Sequence, residues 1–85
     1  MNLSDTITHM DNYRYIDNLR PDQVMVGDIM EFSDDTITEI AIVTDIEELY
    51  VNREFSYVIH GRNEFNETIE MVVEDSQFVK LFIEK

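Results

Sequence analysis

The sequence predicts a mainly β chain of the α+β kind, with five to six antiparallel strands closing onto one another behind a single N-terminal helix. Three observations predict it. From residue 24 onward, apolar residues recur at alternate positions in short runs, the period of half-buried strands. Those runs are separated by clusters of Asp, Asn, Ser and Gly, whose short side chains and permissive backbones favour turns. Before residue 21, Leu3, Ile7, Met10, Tyr13, Ile16 and Leu19 step by four and then three, which draws one stripe along a helix.

The helix, or two short helical turns in its place, is expected over residues 3–19, with Ser4 as N-cap and Asp5 favourably placed in the first turn. Pro21 biases Arg20 away from helical angles and should end it. The expected division is therefore a helical extension over 1–21 and a β unit over 22–85, together one compact domain. Val24, Val26, Met30 and Phe32 share a parity, and Gly27-Asp28 sits where a bend would re-aim the chain. Residues 33–36 carry turn chemistry, and residues 37–46 are rich in Ile, Val and Thr, a strand composition. Glu47-Glu48 reads as a further turn, followed by strands at 49–51 and 55–60, with Asn52-Arg53-Glu54 as either a connection or a bulge. Gly61-Arg62-Asn63-Glu64 reads as a hairpin turn in which Gly61 takes positive φ. Ile69, Met71 and Val73 then point inward, residues 74–78 form a single helical or 3₁₀ turn, and Val79, Leu81 and Ile83 make a last strand.

In this order the pieces resemble SH3-like small β-barrels. The V-G-D-x-x-x-F opening at Val26, the run I-A-I-V-T-D-I from Ile40, the strand E-T-I-E-M-V-V from Glu67, the turn E-D-S-Q-F and the closing V-K-L-F-I carry the likeness, over residues 24–83. The resemblance implies a closed antiparallel barrel with a short turn before the last strand. It does not extend to binding proline-rich peptides, which needs an aromatic groove with tryptophan, because the chain has none. Nor does it extend to RNA, because the loops are acidic. Short, very acidic chains of this style also resemble proteins of tailed bacteriophages, some of which imitate DNA to block host enzymes.

Charge is the outstanding property. Nineteen Asp and Glu face six Lys and Arg, for a net −13 at neutral pH. Such a surface is repelled by nucleic acid and anionic lipid, and it suits a partner with a basic surface. With no cysteine, disulfides and thiolate metal sites are excluded, and a reducing compartment fits. The first residues lack the basic and apolar regions of a secretory signal, and apolar runs are far short of the roughly 20 residues that span a bilayer. A cytoplasmic chain is expected, host cytoplasm if phage-encoded.

Catalysis finds little support. No G-x-S-x-G or phosphate-cradling glycine loop occurs, and His9 and His60 lie on different elements, without a local partner pattern. No enzyme, cofactor or metal site is expected. Two binding readings remain. In the first, carboxylates stand where a nucleic-acid-binding protein expects phosphates, and the candidates are Asp34, Asp35, Glu39, Asp45, Glu47, Glu48, Glu64, Glu67, Glu70, Glu74 and Asp75. A domain about 25 Å across matches a length of duplex bearing on the order of fifteen charges, comparable to the chain's own. In the second, the chain is an adaptor that docks through Tyr13, Tyr15 and Ile16 on the helix, or through a barrel edge, with apolar anchors supplying the energy.

Overall fold

The computed structural model describes residues 13–33 and 36–84. They form six strands: β1 (Tyr13–Leu19), β2 (Ile29–Ser33), β3 (Thr38–Val51), β4 (Glu54–Arg62), β5 (Thr68–Glu74) and β6 (Val79–Glu84). All pairings are antiparallel, and the spatial order is β1-β6-β2-β3-β4-β5. β1 and β5 are thus the two edges, and the sheet is open. This corrects the expectation of a closed SH3-like barrel. β5 curls toward β2 closely enough for the Ser33 amide to donate to the Met71 sulfur at 3.4 Å, but that side-chain contact is not a backbone ladder.

The N-terminal helix is the second correction. Residues 13–19 are strand β1 on the outer edge of β6, and the only helical turn among the described residues is a 3₁₀ turn at Pro21–Gln23. The remainder of the expected helix, with Ser4 and His9, lies outside the described residues. The step of three that suggested a helix has a different cause. Tyr13 and Ile16 are half-buried on opposite faces of an alternating strand. A register shift between Ile16 and Leu19 then returns Leu19 to the Ile16 face, so one bulge imitates helical spacing.

Other local differences have equally specific causes. Gly27, at φ +98°, turns the chain with Asp28 capping the Met25 amide at 2.8 Å, which leaves Val26 63% exposed instead of inward. Glu47-Glu48 is no turn but mid-strand in the 14-residue β3. The turn lies at Asn52-Arg53, both at positive φ, the pattern of a type I′ hairpin. Gly61 is not a turn residue either; it lies inside β4, and a Cβ there would meet Phe32 Cζ at 2.6 Å. Residues 74–77 make a hydrogen-bonded turn, the Gln77 amide donating to the Glu74 carbonyl at 3.0 Å.

The core sits on the concave side. Met30, Phe32, Ala41, Val43, Ile59, Val73 and Leu81 are buried, drawn from β2 through β6, and Leu19 of β1 packs against them. Because the Phe32 ring occupies the space a side chain at 61 would need, Gly61→Ala is expected to destabilise by about 1–3 kcal/mol, the usual range for overpacking. Urea unfolding followed by circular dichroism reads the difference, and a Phe32→Leu background, which shortens the obstructing ring, should recover part of it.

Beyond the core, the tip of the β3–β4 hairpin, with Leu49, Tyr50, Val51, Glu54 and Phe55, is exposed on both faces. Fourteen residues of β3 span about 45 Å at strand rise, which accounts for a longest dimension of 42 Å against 25 and 24 Å across. Tyr50 and Phe55 pack with their rings tilted by 43° and 4.7 Å between centroids near the tip of this arm.

Candidate functional site

The Asn52-Arg53 turn sets Val51 opposite Glu54, and counting back from it fixes the surface chemistry of β3 and β4. Asp45 lies opposite His60, Glu47 opposite Val58, and Leu49 opposite Ser56. β5 continues the rows, with Glu70 beside His60, Val72 beside Val58 and Glu74 beside Ser56. These residues share the outer face, away from the core, since Ile46, Ile59 and Met71 take the other parity. His60 is the hub. Its Nε2 lies 3.1 Å from Glu47 Oε1, and its Nδ1 lies 3.5 Å from Glu70 Oε2. One ligand atom each from Asp45, Glu47 and His60 fall within 4.8 Å of one another.

The remaining acidic candidates do not join this group. Glu39 and Glu67 sit at the opposite end of the hairpins, where both accept from the Asn63 amide, at 3.0 and 3.2 Å. Glu64 is in the β4–β5 turn, and Glu74 lies two rows from His60 along β5. Glu48 faces the other side, opposite Tyr57. Asp34 and Asp35 lie outside the described residues. The alternative docking set is split: Tyr15 is exposed, edge-on to Phe82 and beneath the Lys80 ammonium at 4.7 Å, whereas Tyr13 and Ile16 are half-buried. No helical stripe unites them.

The concave side carries its own perturbed group. Desolvation, and then the negative charges of Asp75, Glu48 and Asp22, push the Tyr57 hydroxyl above the ordinary tyrosine range; it also donates to Asp75 Oδ1 at 3.5 Å. An unfolded chain ionises its tyrosines near pH 10. Below that pH the Tyr57 contribution to stability is fully present. As pH rises past it the unfolded state loses its proton first, so stability falls until the folded hydroxyl ionises too. Asp75→Asn should shrink that alkaline loss, measured by urea unfolding at a series of alkaline pH values.

Charge is unevenly shared. Residues 38–75 hold ten Asp and Glu against two Arg. Arg14, Arg20 and Lys80 belong instead to the β1–β6 side, Lys80 pairing with Glu31 at 3.6 Å and Arg20 resting on the Phe78 ring. No family model, curated protein or solved structure matches this chain. Sequence reading missed two components of the surface: His60 as the centre of the acidic group, and the Tyr50–Phe55 pair on the arm. The signal for the first was Asn52-Arg53. Read as a two-residue turn, it brings the alternating Asp45 and Glu47 onto the face of His60 by counting alone.

Proposed function

We propose that this chain is a non-enzymatic, acidic protein-binding protein that inhibits a nucleic-acid-binding protein by covering its basic surface. The single observation that carries this reading is the excess of acid over residues 38–75, ten Asp and Glu against two Arg. The elongated shape supports it. Over 42 Å duplex DNA carries on the order of twenty-five charges, about twelve on each strand, so the net −13 of the chain matches one strand of the duplex. Regular strands hold such charges at fixed spacing, about 4.8 Å between strands and 6.7 Å between same-face neighbours, so little ordering is left to be done on binding. The cytoplasm is the compartment where such an inhibitor meets its target. Among the described residues, no helix is long and apolar enough to cross a membrane.

The test is affinity capture from a bacterial lysate on the immobilised chain, eluted with a salt gradient. Release of a nucleic-acid-handling protein at moderate salt, with competition by duplex DNA, is the expected result. Glu47→Lys with Glu70→Lys should weaken capture most, whereas Asp17→Lys on β1 should not. A partner retained at high salt and indifferent to DNA overturns the reading. That result would favour docking through the β3–β4 arm, where Tyr50 is 61% exposed beside Phe55, and Tyr50→Ala would then abolish binding.

A further inference from the structure

We propose that Asp45, Glu47 and His60 form a site for one divalent transition-metal ion of the zinc class on the outer face of the sheet. Such a site needs no docking partner. A tetrahedral zinc ion with bonds near 2.0–2.2 Å holds its ligands about 3.4 Å apart. His60 Nε2 and Glu47 Oε1, hydrogen-bonded at 3.1 Å, need to part only slightly to reach that separation. The Asp45 carboxylate lies within 4.8 Å of both, directly across from His60 on β3, so rotation of an exposed side chain closes the remainder. The three ligands come from two hydrogen-bonded strands, which fixes their backbones, and a fourth position is left for water.

What distinguishes this trio from an ordinary acidic surface is the histidine and what lies behind it. Metal-binding imidazoles usually give their other ring nitrogen to a carboxylate, which fixes tautomer and ring orientation and raises ligand basicity. Glu70 Oε2 stands 3.5 Å from His60 Nδ1, on the strand opposite to Asp45 and Glu47. Without an ion it is Nε2 that hydrogen-bonds Glu47, at 3.1 Å; on metal binding Nδ1–H would turn to Glu70, and the Nε2 lone pair would take the ion. His60 is only 22% exposed at its side chain, so the ring cannot swing far. Imidazole nitrogen selects zinc, nickel, copper or iron over magnesium and calcium, which prefer oxygen. Two carboxylates neutralise the ion, and the charge around them concentrates cations.

The test is calorimetric titration of zinc chloride into the chelator-treated full chain, beside nitrogen-15 spectra of the histidine rings. One zinc ion per chain is expected, with the Nε2 resonance of His60 shifting most and magnesium failing to compete. Asp45→Asn and His60→Ala should each weaken binding at least tenfold, and Glu70→Gln by about tenfold, as loss of a supporting carboxylate does. His9→Ala should bind as the unaltered chain does. Asp45→Asn changes an exposed residue, so it decides the matter even where His60→Ala disturbs the sheet. The proposal is overturned if zinc gives no heat, if several ions bind weakly and Asp45→Asn binds them equally, or if loss follows His9 and not His60.

Discussion

Ile59→Ala is expected to cost about 2–5 kcal/mol, the range for truncating a fully buried isoleucine. A chain of this length has a total stability of roughly 4–13 kcal/mol, so the variant should be largely unfolded if the total lies at the low end. Ile59 has no exposed surface and lies at the middle of β4 between Ile46 on β3 and Met71 on β5. Both neighbours are anchored by backbone pairing, which limits how far they can move into the space left behind. Ile59→Val, removing one methylene, should cost only about 0.5–1.5 kcal/mol. Urea unfolding by circular dichroism measures both, since the chain lacks tryptophan. Equal losses for the two variants would mean that the site collapses freely and that the core is less tightly packed than its burial implies.

The second large effect is expected at Asn63, about 2–4 kcal/mol for Asn63→Ala, because several polar groups lose partners together. This side chain is 5% exposed and organises the β4–β5 connection. Its Oδ1 accepts from the amides of Phe65 and Glu67, each at 3.0 Å, while Nδ2 donates to Glu39 and Glu67. Its own amide donates to the Glu67 carbonyl, and its carbonyl accepts from Asn66, which sits at φ 63°. Asn63→Asp separates the two halves of the network. It keeps the acceptor for the backbone amides but faces Glu39 and Glu67 with a third carboxylate, so its deficit should ease as pH falls and the carboxyls protonate. Urea unfolding at neutral and at mildly acidic pH reads this directly. The absence of a deficit at either pH would mean that the backbone capping alone matters.

Much of the strand content is legible in the sequence because alternation at one buried face leaves a period-two signature: Met30 and Phe32, or Ile69, Met71 and Val73, need no structure to be placed. The failures fall where that signature is absent or counterfeited. A bulge in β1 spaced Tyr13, Ile16 and Leu19 by three, which is indistinguishable from a helix stripe by periodicity alone. The outer half of β3 has solvent on both sides, so Glu47-Glu48 carried no alternation and read as a turn. Gly61 owes its identity to an aromatic ring 29 positions earlier, a tertiary cause that no local window contains. The acids were countable but not locatable. Charge sums over the chain, whereas the grouping around His60 depends on strand register, and register hangs on a single two-residue turn.

The open sheet has a colloidal consequence. Among the described residues the outer sides of β1 and β5 have no strand partner; such edges offer rows of backbone donors and acceptors to another strand and invite stacking of copies into ribbons. At neutral pH each molecule meets the next carrying −13, and mutual repulsion holds them apart. That protection vanishes near the isoelectric point of about 4.1. Mild acidification should therefore bring turbidity while the sheet is still folded, and added salt, by screening the charge, should broaden the pH range over which it appears.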